Sequence, residues 1–170
     1  RDYLSRWSGE DHRLRIMEAR NLWQLNRVAE SIEGADAVRR ELLALPDSAA
    51  LAECSLNLSS AHLVSGDLHT AREFTLDALV SARRVGALSL EGSALGNLGI
   101  IEKMLGRWPA ALEAQQLRLR VFESTGNRVQ LAHARRSIGI VQWKRGRLAL
   151  AIKVAEECGN EARRLGSGIH

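Results

Sequence analysis

The sequence predicts an all-α protein built as a solenoid, and three observations support this prediction. Glycines recur in two series with forty-residue spacing, offset from each other by twenty residues. The series are Gly66, Gly106 and Gly146, and Gly86, Gly126 and Gly166. The segments between them carry apolar residues at helical spacing, and aromatic residues make up only 4% of the chain. A fixed period of roughly 20 to 50 residues is typical of small helical units stacked several times.

Each segment between two glycines is predicted to form one helix. Leu95, Leu98, Ile101 and Leu105 follow one another at steps of three and four residues, which places them on one helical face. The apolar positions of residues 108–122 follow the same spacing. Glycine just past such a segment is the usual helix stop, because the left-handed cap conformation strains any residue with a Cβ. The unit is therefore helix, tight turn, helix, tight turn.

The repeat divides the chain into units of forty residues. Three units are predicted at residues 47–86, 87–126 and 127–166, after a degenerate helical pair at residues 1–46 and before a flexible end at 167–170. In the N-terminal pair, Gly34 is expected to interrupt the second helix. Two columns of the repeat hold matched residues: Leu58, Leu98 and Ile138, and then Ala71, Ala111 and Ala151. Small residues beside large ones allow two antiparallel helices to approach closely.

The middle unit resembles a tetratricopeptide repeat. It carries the runs GNLG at 96–99, LGRW at 105–108 and AL at 111–112. Its forty-residue period resembles the long-helix variety of bacterial transcription activators, response-regulator phosphatases and animal G-protein modulators. The resemblance implies a right-handed α-solenoid of antiparallel helix pairs with a role in protein or peptide recognition. The sequence departs from the family where His62, Glu102 and Gln142 replace an aromatic residue, and where Arg118 replaces a small one.

Composition and motifs argue against several other classes. A net charge of +4 spread over several helices is not the footprint of a nucleic-acid-binding protein. Cys54 and Cys158 lack metal-binding spacing, which predicts free thiols and favours a cytoplasmic location. His62 and His69 straddle a turn, but a metal site needs three or four converging ligands. We therefore predict no metal, no cofactor and no catalytic residues. The chain lacks an apolar run of membrane-spanning length and a signal peptide, so no membrane association is predicted.

The resemblance implies that the first helix of each unit lines a concave groove that holds a peptide. The residues predicted to line this groove are Glu53, Asn57, Ser60, Ser93, Asn97, Ile100, Met104, His133, Arg136, Ser137, Ile140 and Lys144. The amides of Asn57 and Asn97 are expected to pair with a partner's backbone; the alternative is a bond to a neighbouring helix. Ile100 and Ile140 either face the groove or pack on the neighbouring helix. Trp143 either anchors a partner or packs on a following unit.

The most favoured function is therefore a scaffold that binds a protein or peptide, as the interaction or sensor part of a larger bacterial regulatory protein. One alternative is a basic helical-repeat module that binds nucleic acid, although glutamates such as Glu53, Glu102 and Glu123 interrupt its basic surface. Another alternative is a structural module that forms a homodimer through uncapped ends. Solenoids need polar caps at both ends, and no final cap is evident after Arg164.

Overall fold

The computed structural model describes the backbone of residues 2–166, and the side chains of residues 11–160 and Arg163. This part of the chain consists of α-helices and contains no β-strand. The helices are α1 (Asp2–Gln24), α2 (Val28–Leu42), α3 (Ala49–Ser65), α4 (Leu68–Arg84), α5 (Leu88–Met104), α6 (Trp108–Thr125), α7 (Arg128–Lys144) and α8 (Leu148–Gly166). The predicted all-α class is confirmed. Among the described residues, no helix is both long and apolar enough to cross a bilayer.

Five of the turns between helices use the left-handed backbone that the glycine series predicts. Gly66, Gly86, Gly106, Gly126 and Gly146 have φ between 65° and 84°. At the turn after α5, the N–H of Gly106 donates to the carbonyl of Lys103 at 3.1 Å, and the N–H of Arg107 donates to that of Glu102 at 2.8 Å. These bonds satisfy carbonyls at the helix end that have no partner inside the helix. The sixth glycine, Gly166, is the last residue of α8, and the predicted flexible end at 167–170 lies outside the described residues.

The N-terminal pair is more regular than its sequence suggests. Asn26 has φ of 62° and stands forty residues before Gly66, so it takes the place of a turn glycine. Asparagine tolerates this conformation better than most residues with a side chain. The expectation that Gly34 interrupts the second helix is wrong, because α2 runs through it. A helical glycine costs only about 1 kcal/mol relative to alanine, and burial of the neighbouring Ala35 and Val38 offsets this cost.

The chain forms two compact units, one ending at Asn97 and the other beginning at Leu98, with the boundary inside α5. In the first unit, helices adjacent in sequence pack against each other from α1 to α4, and α1 also packs on α3. The core of this unit includes the buried side chains of Ile16, Val38, Cys54 and Leu58. In the second unit, α6 packs on α7 and α7 packs on α8.

Within a unit, side chains at the helix crossing are matched in size. In the first unit, the hydroxyls of Ser59 on α3 and Thr75 on α4 lie 2.6 Å apart and are fully buried. At the equivalent positions of the second unit, Gly99 leaves room for the larger Gln115: a Cβ on Gly99 would lie 2.1 Å from its Nε2. Arg118, which departs from the family pattern, reaches out of α6 and donates to Oε1 of Gln130 on α7 at 2.6 Å.

Candidate binding surface

In the first unit, the polar side chains predicted to line the groove are largely engaged in contacts between helices. Asn57 is only 5% exposed, and its amide donates to the carbonyl of Ile16 at 3.0 Å. Arg20 on α1 donates to the carboxylate of Glu53 and, at 3.5 Å, to Oδ1 of Asn57. Because these groups already pair with each other, Asn57 stabilises the packing of α3 on α1 instead of presenting its amide to a partner. Of the two alternatives given for the amide of Asn57, the structure shows the hydrogen bond to a neighbouring helix.

The remaining polar candidates of the first unit lie on α3 and α5. Asn97 is half-buried, and its Nδ2 lies 3.4 Å from the hydroxyls of both Ser59 and Ser60. Ser60 and Ser93 donate to carbonyls one turn earlier in their own helices. Asn97 therefore joins α5 to α3, as Asn57 joins α3 to α1. Ser93 is the exposed member of the set.

In the second unit, the predicted groove residues present apolar side chains to solvent. Ile100 and Met104 on α5 are 39% and 53% exposed, and Ile140 on α7 is 38% exposed. Ile100, Ser137 and Ile140 line one small cavity, so α5 and α7 bring these side chains together. Ile100 and Ile140 thus line the cavity between α5 and α7 and are also exposed to solvent. Clustered apolar side chains on a surface are typical of interaction sites.

Basic side chains flank these apolar residues on α7. His133, Arg136 and Lys144 are all exposed. The Nζ of Lys144 lies 4.5 Å from the centre of the Trp143 ring, a distance at which the ammonium is attracted to the ring face. Trp143 itself is 54% exposed. This end of the second unit therefore combines an apolar surface with positive charge.

Sequence reasoning did not anticipate a hollow between α7 and α8. Its volume is ≈ 480 Å³, and its lining includes Gly139, Ile140, Trp143, Ala151, Val154 and Cys158. The repeat pattern contains a signal for this hollow. Gly139 and Ala155 are both small, and they stand at the positions where the earlier forty-residue repeats pair Ser59 with Thr75 and Gly99 with Gln115. Cys158, expected to be a small core residue, is only half-buried and lies at the wall of this hollow.

The histidines and thiols do not assemble a reactive centre in the described part of the chain. No three side chains of His, Cys, Asp or Glu come together there as a metal site would require. His62 stacks on Phe74 with ring centres 5.5 Å apart, whereas His69 is exposed. Both cysteines are free thiols. The thiol of Cys54 donates to the carbonyl of Ala35, and burial raises its pKa to about 12, so it is unreactive at neutral pH.

Solved structures share this fold. The apo form of RapI matches with a TM-score of 0.83 and 16% identity, covering 93% of this chain and 58% of RapI. BtubC from P. vanneervenii matches with a TM-score of 0.84 and 16% identity, covering 94% of this chain and 65% of BtubC. The Rap conjugation gene regulator of plasmid pLS20, in complex with the Phr* peptide, matches with a TM-score of 0.70 and 14% identity. This match covers 88% of this chain and 42% of the regulator. The chain thus spans less than two thirds of each of these proteins.

A family model adds sequence evidence to this likeness. No curated protein is significantly similar to the chain in sequence. The tetratricopeptide repeat model matches residues 90–158, which include the glycine turns at Gly106, Gly126 and Gly146. The resemblance to tetratricopeptide repeats is confirmed: residues 90–158 match the model of that family, and the chain has the helical-repeat fold of tetratricopeptide-like proteins.

Proposed function

We propose that this chain is a non-catalytic scaffold that binds a peptide or protein through an exposed strip on α5 and α7. The strip consists of Ile100, Met104, Ser137, Ile140 and Lys144. The observation that carries the proposal is the exposure of three large apolar side chains, Ile100, Met104 and Ile140, on neighbouring helices. Burial of such side chains against a partner provides affinity, and Met adapts its shape to different partners.

The comparisons support this class of function without identifying the partner. One protein of the same fold was solved in complex with a peptide and is described as a conjugation gene regulator. We propose by analogy that this chain is the interaction or sensor part of a larger bacterial regulatory protein. The free thiols of Cys54 and Cys158 are in keeping with the cytoplasmic location that we propose.

The strip is tested by one pair of matched substitutions, Met104→Glu and Met17→Glu. Met17 on α1 is 53% exposed, as is Met104, so both changes replace an equally exposed Met by a carboxylate. Proteins captured by the full-length protein from a lysate of its source organism are identified by mass spectrometry. The affinity of a purified partner is then measured by calorimetry. Met104→Glu should weaken binding at least about tenfold, because a charge is then buried against an apolar partner.

Met17→Glu is the control and should leave the affinity unchanged. Both variants should melt close to the wild-type temperature, because exposed substitutions seldom change stability by more than about 0.5 kcal/mol. If the partner binds Met104→Glu as tightly as wild type, the strip is not the contact surface. If the captured ligand is nucleic acid with steeply salt-dependent affinity, the alternative of a basic nucleic-acid-binding module is favoured instead.

A further inference from the structure

The two compact units of the chain carry net charges of opposite sign. Residues 1–97 contain 11 Lys or Arg and 14 Asp or Glu, which gives a net charge of −3. Residues 98–170 contain 13 Lys or Arg and 6 Asp or Glu, which gives +7. The three lysines, Lys103, Lys144 and Lys153, all belong to this second unit. The second unit is therefore strongly basic and favours a partner that carries negative charge.

The basic side chains of the two units also differ in their pairing. In the first unit, several arginines pair with carboxylates: Arg15, Arg20, Arg27, Arg39, Arg83 and Arg84. In the second unit, Arg107 lies 3.6 Å from the carboxylate of Glu102. Among the described side chains, Lys103, Arg136 and Lys144 have no carboxylate at ion-pair distance. The charges of these three residues are thus available to a partner.

The carboxylates of the second unit are kept away from the strip of α5 and α7. Residues 98–104 of α5 contain one carboxylate, Glu102, which is only 2% exposed, and α7 contains none. The remaining carboxylates belong to α6 and α8: Glu113, Glu123, Glu156, Glu157 and Glu161. Of the described residues that line the cavity between α5 and α7, Lys103 is the charged one. A negatively charged partner on the strip therefore meets basic side chains first.

The basic side chains stand at regular distances from the apolar centre of the strip. On α7, Arg136 and Lys144 stand four residues before and four residues after Ile140, and four residues of helix span about 6 Å. On α5, Lys103 stands three residues after Ile100 and lines the same cavity. An extended peptide advances about 3.3 Å per residue, so a carboxylate about two or three positions from an apolar side chain reaches these cations.

The apolar centre favours a peptide over nucleic acid as the occupant. Ile100, Met104 and Ile140 are exposed and have no aromatic ring on which a base could stack. The aromatic side chain of α7 is Trp143, and the Nζ of Lys144 already lies over its ring at 4.5 Å. Aliphatic side chains gain little from a phosphate backbone, whereas they bury well against the apolar side chains of a peptide.

We propose that the strip binds an acidic peptide segment in which an apolar residue is flanked by Asp or Glu about two or three positions away. This inference rests on the proposed function, because it assigns the chemistry of the peptide that the strip takes. The apolar residue packs on Ile100 and Ile140, and the carboxylates pair with Lys103, Arg136 and Lys144. Since side-chain carboxylates make these pairs, the peptide needs no free carboxyl terminus.

The probe for this chemistry is a phage-displayed library of random dodecapeptides, selected on the full-length protein. The selected peptides should be enriched in Asp and Glu at about two or three positions from an apolar residue. Lys144→Glu should shift the enrichment from acidic toward basic residues, because it reverses the charge beside Ile140. Lys153→Glu is the matched control: Lys153 is exposed on α8, so the net charge changes equally while the strip is unaltered.

A carbodiimide cross-link locates the carboxylates of a selected peptide, because this reagent joins a carboxylate to an amine that it contacts. The peptide is synthesised with blocked ends, and the products are mapped by mass spectrometry. Cross-links should form to Lys103 and Lys144 and not to Lys153. Replacing one flanking Glu of the peptide by Gln should weaken binding about two- to fivefold, as expected for an exposed ion pair. Lys144→Arg keeps the charge and should preserve the affinity.

Several results would overturn the proposal. Selected peptides that are apolar without acidic residues, and whose binding Met104→Glu still weakens, would leave the strip in place and remove its acidic specificity. Peptides whose binding is unaffected by Met104→Glu would remove the strip as well. An equal loss of acidic enrichment in Lys153→Glu and Lys144→Glu would assign the preference to the overall charge of the unit. Displacement of the peptide by a random oligonucleotide at equal concentration would assign the basic side chains to nucleic acid instead.

Discussion

Single residues with a left-handed backbone set the repeat of this molecule. Five glycines and Asn26 occupy these turns, and Gly106 has φ of 74°. No atom lies within 4 Å of a Cβ built on Gly106, so the constraint is the backbone conformation and not the space around it. Any residue with a β-branched side chain must be strained there.

Gly106→Val is therefore predicted to destabilise the protein by more than about 1 kcal/mol. Chemical denaturation followed by circular dichroism measures this change. Gly34→Ala is the matched control, because Gly34 is helical, exposed and free of close neighbours at its Cβ position. It should stabilise the protein by about 0.5–1 kcal/mol, since alanine is the better helix former. Equal effects of the two changes would contradict the assignment of strain to the turn.

Contacts that depend on a single long side chain were not predictable from the repeat pattern. Arg20 belongs to the degenerate N-terminal segment, where no column identifies a partner for it. Only the packing of α1 on α3 brings it to Glu53 and Asn57. The helical spacing placed Asn57 on the face of α3 that carries the other groove candidates. It did not show that the amide of Asn57 donates to the carbonyl of Ile16.

At the scale of elements, the packing of two helices at their crossing depends on the combined size of the two side chains that meet there. Ser59 with Thr75 and Gly99 with Gln115 are two solutions for the same position of the repeat. A side chain on Gly99 must displace Gln115, which is 2% exposed and has little freedom to move. Conversely, shortening Gln115 leaves a void beside Gly99.

A double-mutant cycle with Gly99→Ser and Gln115→Thr tests this size matching. Gly99→Ser alone should cost about 1–3 kcal/mol through overpacking. Gln115→Thr alone should cost about 1 kcal/mol or more through the lost contacts. The double variant reproduces the Ser59–Thr75 pair and should be more stable than the sum of the two losses, by about 0.5–3 kcal/mol. Thermal unfolding of all four proteins gives the coupling, and strict additivity would count against the matched crossing.

At the scale of the whole molecule, the fold was more predictable than the candidate binding surface. The glycine period and the helical spacing repeat many times, so errors at single residues such as Gly34 do not change the predicted helix pairs. A surface has no such repetition. Ile100 and Ile140 were predicted to be either groove or packing residues, and in the structure they line a cavity while remaining exposed. The hollow beside Trp143 depends on the small size of Gly139 and Ala155. The space that they leave is visible only when α7 and α8 are packed together.

Stability is expected to be uneven along the repeat, because each pair gains stability from its neighbours. In α4, Ala71, Thr75 and Ala78 are fully buried. The residues eighty positions later in α8, Ala151, Ala155 and Cys158, are half-buried or exposed. α8 also exposes large apolar side chains, including Leu148 and Ile152. Less apolar surface is thus removed from water per turn of α8 than of α4.

Hydrogen exchange followed by mass spectrometry should therefore show faster exchange in α8 than in α4. Local opening of α8 exposes less apolar surface and so requires less free energy than opening of α4. Segments 68–84 and 148–164 have the same position in the repeat, so their comparison controls for helix type and length. Equal protection of the two segments would contradict this account.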